Sequence, residues 1–316
     1  MSDYILNLLP LKDEEHLEFE QTAPDAVHVY AGRRTVTPEQ LEQATVIMGW
    51  PRPSDLSHCK NLKWFQCMFA GVDGYDTPGL LPKGAMLTSS SGFNSLAVAE
   101  HILACLLSLC KKLPQCRDNQ QKHIWLDLGK TKTITGATVL VVGAGNIGSA
   151  VAQRCQALGA FTIGLKRTIN GPISGFDKVC PSDMLDELLP EADVVILTLP
   201  HSDSTKQLMD TKRLNAMKQD AILINAGRGS VLDQDALIEV LKSGKLWGAA
   251  LDVTQPEPLP ADHPLWDAPN LIITPHLAGG IRFEVTRRTC VTMALENLKR
   301  YLTNEPLENL VKVQEI

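Results

Sequence analysis

The chain has 316 residues, of which 44% are hydrophobic and 21% are charged, so it is long enough for two domains with separate cores. Its net charge of −6, with acidic and basic residues mixed along the chain, argues against a nucleic-acid partner, which would select a basic surface. No apolar stretch is long enough to cross a bilayer and the N-terminus lacks a signal-peptide pattern, so we expect a cytoplasmic protein with no membrane partner.

The first third of the chain alternates short apolar runs with helical patterns. Strands are predicted at residues 4–9, 26–30, 45–50, 62–69 and 85–88. A helix is predicted after Thr37, whose hydroxyl can cap it, with Pro38 in the first helical position and Gln40 completing a capping box. Strands that alternate with helices predict an α/β fold with a parallel sheet covered on both faces.

A second series of alternating strands and helices follows a predicted helix at 94–110 and a polar stretch at 111–132. Its strands are predicted at residues 138–142, 161–165, 194–199, 221–224, 247–252 and 271–274. This order is the doubly wound pattern of nucleotide-binding domains. A final helix, predicted at 282–301, leads to a tail that we expect to return to the first domain.

A glycine-rich loop follows the first strand of the second series. Gly143, Gly145 and Gly148 form the G-x-G-x-x-G pattern, with Asn146 and Ile147 before the last glycine. The first glycine permits a tight turn, the second lets the backbone approach a pyrophosphate, and the third allows close packing of helix on strand. Because the loop lies between a strand and an amphipathic helix, whose N-terminus favours phosphate, the pattern predicts dinucleotide binding.

The end of the next strand predicts which dinucleotide is bound. NAD-binding sites usually carry an acidic residue here, which accepts a hydrogen bond from the ribose 2′-hydroxyl. This chain has Lys166, Arg167 and Thr168 instead. A carboxylate would repel the 2′-phosphate of NADP, whereas two cations and a hydroxyl would bind it. We therefore expect NADPH to be preferred over NADH.

Three polar groups follow later strands of the same series, at the edge where open α/β sheets bind their ligands. Arg228 lies between two glycines, and a guanidinium can bind a carboxylate through two hydrogen bonds and polarise a neighbouring carbonyl. Asp252 ends a strand, and Glu257 follows it between two prolines. His276 follows the last strand, and histidine titrates near neutral pH, as a proton donor to a ketone must.

The eight cysteines predict reduced thiols rather than disulfides or a metal site. None belongs to a C-x-x-C pair, and no histidine cluster has zinc-ligand spacing, so no metal is expected. Most lie in apolar runs, where cysteine acts as a small hydrophobic residue. This usage is typical of a cytoplasmic protein.

Together these segments resemble the D-isomer-specific 2-hydroxyacid dehydrogenases, a family that includes glyoxylate/hydroxypyruvate reductases and phosphoglycerate dehydrogenases. The segments that carry the resemblance span most of the chain: 69–73, 98–101, 143–148, 225–231, 251–259, 263–266 and 276–280. The resemblance implies that Arg228 binds the substrate carboxylate and carbonyl oxygen, that His276 is the acid/base, and that Glu257 orients it.

The resemblance also implies binding residues beyond the glycine loop. Substrate carboxylate would be bound by backbone N–H groups of the first domain, those of Ala70, Gly71 and Val72. Further cofactor contacts would come from residues after the strands of the second series: Leu199, Pro200, Asn225, Ala226, Gly227, Arg228, Asp252, His276, Ala278 and Gly279. Among these, Asp252 would contact the nicotinamide side.

The fold implied by the resemblance has two doubly wound parallel-sheet domains with a cleft between them. A flavodoxin-like substrate domain would comprise residues 1–97 and 284–316, and a Rossmann NADP-binding domain residues 98–283. Family members usually form homodimers, and in some relatives the region near Trp125 enters the partner's active site. The expected partner is a small 2-oxo acid, whose side chain would be met by residues near 9–11, 50–52, 68–72 and 283. Arg52 is interpreted as a surface salt-bridge residue rather than a substrate ligand.

Three alternatives stay open at this point. A formate dehydrogenase has the same fold but pairs its histidine with glutamine, so Glu257 argues against it. A phosphoglycerate dehydrogenase is disfavoured by the basic pair Lys166 and Arg167. A dinucleotide-sensing corepressor shares the fold and even the catalytic residues, so those residues alone do not exclude a binding role. The short chain and the basic pair favour the enzyme.

Overall fold

The computed structural model describes residues 2–169 and 171–311, which divide into two units. The first unit is formed by the residues up to Asn94 and from Gly280 onward, and the second by Ser95–Gly279. The boundaries predicted from sequence, after residues 97 and 283, lie a few residues further along the chain. They differ because the helix that begins at Ser95 packs as a whole on the helix that follows the glycine loop, inside the second unit.

The strands in the described residues are short and mostly buried. Numbered along the chain, they are β1 (Tyr4–Asn7), β2 (Val27–Tyr30), β3 (Val46–Gly49), β4 (Trp64–Cys67), β5 (Met86–Thr88), β6 (Thr138–Val142), β7 (Phe161–Lys166), β8 (Lys178–Pro181), β9 (Val194–Leu197), β10 (Ala221–Asn225), β11 (Leu246–Leu251), β12 (Leu271–Ile273) and β13 (Leu310–Val311).

The α-helices connect these strands. They are α1 (Asp13–Thr22), α2 (Pro38–Gln43), α3 (Ser95–Cys110), α4 (Leu113–Gln121), α5 (Asn146–Ala157), α6 (Leu185–Leu188), α7 (Thr211–Ala216), α8 (Gln234–Lys242) and α9 (Glu284–Leu302). The capping box predicted for α2 is present, since Thr37 Oγ1 accepts from Gln40 N and Gln40 Oε1 accepts from Thr37 N. In the described part of the chain, no helix is both long and apolar enough to span a membrane.

The first unit is built on a sheet whose described strands run in the order β13-β5-β4-β3-β1-β2. All pairs are parallel except β13 with β5, where the C-terminal tail returns to this unit as predicted. One face of the sheet packs on Phe19 of α1 and on Val291 and Leu298 of α9. The other face packs on Leu41 of α2 and Leu56. This arrangement confirms the predicted α/β sheet covered on both faces.

The second unit has a parallel sheet whose described strands run in the order β12-β11-β10-β9-β6-β7-β8. Because β7 and β8 lie on one side of β6 and β9 to β12 on the other, the strand order reverses at β6, as in doubly wound nucleotide-binding folds. The fold class is therefore confirmed. Strand β8 was missed because it is a short edge strand whose only buried residue is Cys180.

Candidate active site

Arg228 lies on a turn at the carboxyl end of β10 that the fold holds in place. Asn225, which is fully buried, accepts a hydrogen bond from Gly227 N at 3.1 Å and donates to Arg228 O at 3.0 Å. A Cβ at Gly227 would lie 2.5 Å from Leu199 O, and one at Gly229 would lie 2.1 Å from Thr254 C. Both flanking residues must therefore be glycine, which fixes the backbone of Arg228 against the loops after β9 and β11.

His276 and Glu257 form a hydrogen-bonded pair. His276 Nδ1 lies 2.8 Å from Glu257 Oε2, and Glu257 Oε1 accepts from Thr254 N at 3.0 Å. The second bond orients the carboxylate, and the carboxylate in turn orients the ring, so Nε2 is left as the nitrogen that can exchange a proton with a ligand. The His276 side chain is half exposed, which gives a ligand access to it.

The turn that carries His276 has a strained backbone and is stabilised by hydrogen bonds to Asp252. His276 has φ +49°, in the left-handed region that non-glycine residues rarely occupy. Asp252 is buried, and its carboxylate accepts hydrogen bonds from the backbone N–H groups of Leu277 and Ala278 at 3.0 and 3.1 Å and from the hydroxyl of Thr274 at 2.6 Å. The structure thus places Asp252 beneath the turn of His276, and the close partners of its carboxylate among the described residues belong to that turn or lie beside it.

His101 joins this network from α3. Its Nε2 lies 3.1 Å from Thr274 Oγ1 and 3.6 Å from Asp252 Oδ1. His101 is mostly buried, so it can help to balance the charge of Asp252 but is not presented to solvent.

The glycine loop has the shape that a dinucleotide pyrophosphate requires. Gly143 has φ +117°, and a Cβ there would lie 2.8 Å from Thr198 Oγ1. A Cβ at Gly148 would lie 2.2 Å from Gly143 O, so the loop and α5 are in direct contact. A Cβ at Gly145 would meet nothing within 4 Å, which leaves open space in front of the N-terminus of α5. The residues therefore fit a dinucleotide, since phosphate binds at such helix ends.

A cavity of about 430 Å³ extends from this loop along the carboxyl ends of β6, β7 and β9. Its lining includes the predicted residues Gly143, Gly145, Lys166, Arg167, Leu199 and Pro200. Thr168, predicted with the basic pair, is exposed and does not line it. The predicted cofactor residues after β10, β11 and β12 lie at the same edge of the sheet but outside this lining.

Two functional threonines escaped prediction. The Thr198 hydroxyl donates to Gly143 O at 2.8 Å and so supports the glycine turn, while Thr274 links Asp252 to His101. The signal was available, because each threonine is the first polar residue after an otherwise apolar strand at the ligand-binding edge.

In the first unit, the predicted carboxylate ligands Ala70, Gly71 and Val72 follow β4 at the carboxyl edge of the sheet. Among the described residues, none of their three N–H groups has a hydrogen-bond acceptor. These donors are thus available to an anionic ligand. No group of three or more potential metal ligands is found in the parts of the chain that the structure describes.

Known proteins resemble this chain in sequence and fold. The sequence model of the NAD-binding domain of the D-isomer specific 2-hydroxyacid dehydrogenases matches residues 103–278. Glyoxylate/hydroxypyruvate reductase B of Pectobacterium carotovorum subsp. carotovorum is 34% identical over 266 residues, covering 82% of each chain. D-3-phosphoglycerate dehydrogenase of Methanocaldococcus jannaschii is 33% identical over 248 residues, covering 78% of this chain but 47% of that protein.

A solved structure of the same family has a similar fold. The D-isomer specific 2-hydroxyacid dehydrogenase of Xanthobacter autotrophicus Py2, in complex with NADPH and MES, is 27% identical and superimposes with a TM-score of 0.82. The alignment covers 99% of this chain and 98% of that one.

Proposed function

Since the chain belongs to the D-isomer-specific 2-hydroxyacid dehydrogenase family, we propose that it reduces small 2-oxo acids to D-2-hydroxy acids with NADPH. The observation that carries the proposal is the hydrogen-bonded pair of His276 and Glu257 at the same sheet edge as Arg228 and the glycine loop. A ketone reductase needs a proton donor, an oriented cation and a dinucleotide site, and these groups supply all three.

Each residue has a defined part in the reaction. Arg228 binds the substrate carboxylate and polarises the carbonyl oxygen, and the N–H groups of Ala70, Gly71 and Val72 bind the carboxylate as well. His276 donates the proton on Nε2 to the oxygen as its negative charge develops, while Glu257 stabilises the imidazolium. NADPH, when bound, supplies the hydride that the carbonyl carbon receives.

The preference for NADPH rests on the charges of the cavity. Lys166 and Arg167 both line it, and no aspartate or glutamate is present in its lining. The 2′-phosphate of NADP would gain charge-assisted hydrogen bonds there, whereas the 2′-hydroxyl of NAD would find no carboxylate acceptor. The relative from Xanthobacter autotrophicus Py2 was solved with NADPH, which agrees with this preference.

The direct test is oxidation of NADPH and of NADH by the purified protein with a panel of carbonyl compounds. The panel contains glyoxylate, hydroxypyruvate and larger aliphatic and aromatic 2-oxo acids, with simple ketones as controls that lack a carboxylate. We expect turnover with the 2-oxo acids only, and faster turnover with NADPH. Equal turnover of simple ketones would contradict the role of Arg228. NADPH binding without any turnover would favour a dinucleotide-sensing binding protein.

A second activity is included in the same panel because of one relative. The similarity to a D-3-phosphoglycerate dehydrogenase makes 3-phosphooxypyruvate a substrate to test. The basic pair at the cofactor cavity argues against that activity in its usual NAD-dependent form. Turnover of the phosphorylated substrate alone, with NADH as the hydride donor, would replace the proposed function with this one.

A homodimer in the cytoplasm is also part of the proposed function. All eight cysteines, which lie within the described residues, are free, as a reducing compartment requires. A cluster of exposed apolar side chains after α3 suits a subunit interface: Leu113, Ile124, Trp125 and Leu126. Light scattering should give twice the chain mass, and a monomer would contradict the proposal.

A further inference from the structure

Arg33 and Trp50 form a stacked pair at the carboxyl edge of the first sheet. The guanidinium carbon of Arg33, in the loop after β2, lies 3.8 Å from the centroid of the Trp50 ring, in the loop after β3. Trp50 in turn packs edge-on against Phe69, with ring centroids 5.0 Å apart. Phe69 directly precedes the N–H groups of Ala70–Val72. The loops after three strands therefore meet at one place.

The position of Trp50 is fixed by the turn that precedes it. Gly49 has φ +128°, and a Cβ there would lie 2.8 Å from Leu8 C and Leu8 Cβ. The loops after β3 and β1 thus touch through their backbones, and only glycine allows this approach. The side chain of Trp50, which follows this contact, is 38% exposed. Its ring is therefore accessible at the surface rather than buried in the core.

Arg33 carries a positive charge for which the described part of the chain offers no ion-pair partner. Among the described residues it has neither an ion pair nor a hydrogen bond, and its Nε–H is buried without an acceptor. By contrast, the guanidinium of Arg287 in the same unit is paired with a carboxylate, because it binds Glu15 at 2.6 and 2.9 Å. A half-buried guanidinium that lacks a hydrogen-bond acceptor is unfavourable. A ligand that brought an acceptor to Arg33 would therefore be favoured at this position.

A second unmatched donor lies at the same edge. Asn7 ends β1, the strand between β2 and β3, and is buried. Its Oδ1 accepts from Leu9 N at 3.0 Å, which fixes the orientation of the amide, while its Nδ2 is buried without a partner. This edge therefore carries an excess of donors over acceptors, as an oxyanion-binding site does.

We propose that Arg33, stacked on Trp50, binds a second carboxylate of the substrate, so that the preferred substrates are 2-oxo dicarboxylic acids. This inference rests on the proposed function, because it takes the first carboxylate of the substrate to be bound by the Ala70–Val72 amides and Arg228. A single planar guanidinium matches the two oxygens of a carboxylate. The tryptophan restricts the guanidinium to one plane and so reduces the ordering that binding requires.

The test compares substrates that differ only at the far end. Oxaloacetate is matched with 4-methyl-2-oxopentanoate, and 2-oxoglutarate with 5-methyl-2-oxohexanoate, because in each pair an isopropyl group replaces the carboxylate. We expect kcat/KM to favour the dicarboxylate by about 10- to 100-fold, the range of a charge-assisted hydrogen-bond pair.

Variants of Arg33 then show whether this residue causes the preference. Arg33→Gln should remove most of it, and Arg33→Lys, which keeps the charge but not the planar guanidinium, should remove only part of it. Arg34→Gln, at the exposed neighbouring arginine, is the matched control and should keep the preference.

The outcomes separate this inference from the function on which it rests. Reduction of 2-oxo acids with no preference for the dicarboxylates, or a preference that Arg33→Gln leaves intact, overturns the inference alone. If no 2-oxo acid is reduced, the proposed function fails, and calorimetry with glutarate and 5-methylhexanoate decides the inference. Weaker binding of glutarate to Arg33→Gln than to Arg34→Gln supports an oxyanion site, and equal binding overturns it. A preference for 3-phosphooxypyruvate that depends on Arg33 would keep the oxyanion site and replace the carboxylate with phosphate.

Discussion

The carboxyl edges of the two sheets differ in how their polar groups are matched. At the edge of the second sheet, the carboxylate of Asp252 accepts hydrogen bonds from Thr274, Leu277 and Ala278. The carboxylate of Glu257 is hydrogen-bonded to His276 in the same way. At the edge of the first sheet, Arg33 Nε, Asn7 Nδ2 and the N–H groups of Ala70–Val72 have no acceptor among the described residues. The groups proposed to react are thus already hydrogen-bonded to one another in the second unit, whereas the first unit offers donors that a ligand could match.

The largest effect is expected from removing the proton donor of the second unit. His276→Ala should lower kcat by about 10²- to 10⁴-fold, the usual contribution of general acid catalysis. NADPH should still bind, because His276 does not line the cavity that holds Lys166 and Arg167. His58→Ala, at an exposed histidine of the first unit, is the control. Unchanged turnover in His276→Ala would remove this residue from the mechanism.

The matched network beneath His276 should also contribute to stability. Asp252→Ala leaves one buried and two partly buried donors without an acceptor, and we expect it to lower the free energy of unfolding by about 3 kcal/mol. Glu257→Gln changes a carboxylate that is well exposed, so it should lower kcat while leaving the free energy of unfolding almost unchanged. Urea titrations of both variants measure the difference. Equal stabilities of the two variants would show that Asp252 does not hold the turn.

A smaller effect, on binding alone, is expected at the cofactor cavity. Changing Lys166 and Arg167 together to glutamine should weaken NADPH binding by about 10- to 100-fold and NADH binding much less. The reason is that only NADPH carries the 2′-phosphate with which these cations would pair. Lys130→Gln, at an exposed lysine, serves as the control. Equal weakening of both cofactors would contradict the assignment of the 2′-phosphate site.

The smallest effect concerns acid stability of the first unit, where Glu15 is the one buried carboxylate in its described residues. Burial acts to raise the pKa of Glu15, but hydrogen bonds from Arg287, Lys12 N and Arg288 outweigh it and lower this pKa to about 2. Because the folded pKa is below the unfolded value of 4.5, the stabilisation is complete above pH 4.5 and is lost as the pH falls towards 2.

By pH 3 this loss should amount to roughly 2 kcal/mol. Thermal unfolding of wild type and Glu15→Gln between pH 6 and pH 3 measures it. The variant should be less stable at pH 6 and should lose less stability on acidification. Parallel curves for the two proteins would show that Glu15 does not cause the acid sensitivity.

Features that depend on neighbouring residues in the chain could be predicted from the sequence. The glycine loop and the Thr37 capping box follow from local patterns, because turn geometry and capping act over a few residues. The alternation of strands and helices likewise indicated parallel sheets. The pairing of His276 with Glu257 was also expected, from the resemblance to the 2-hydroxyacid dehydrogenases.

Features that depend on residues distant in the chain were missed. The hydrogen bonds of the Asp252 carboxylate to the turn of His276 and to Thr274 were not predicted, while its contact with the nicotinamide side of the cofactor stays a prediction. No spacing rule reports such a bond across separate strands. The sequence did not single out Arg33, because neither its stacking on Trp50 nor its lack of an acceptor is visible before the two loops are brought together.

The most direct test of the central claim is to follow the hydride itself. NADPH carrying deuterium at the reactive position of its nicotinamide ring is incubated with the protein and the best 2-oxo acid of the panel, and the product is analysed by mass spectrometry and chiral chromatography. The account predicts one deuterium on C2 of the D-2-hydroxy acid, and a much slower reaction with His276→Ala. Product without deuterium, or labelled NADPH that stays bound and unreacted with every 2-oxo acid, would contradict it.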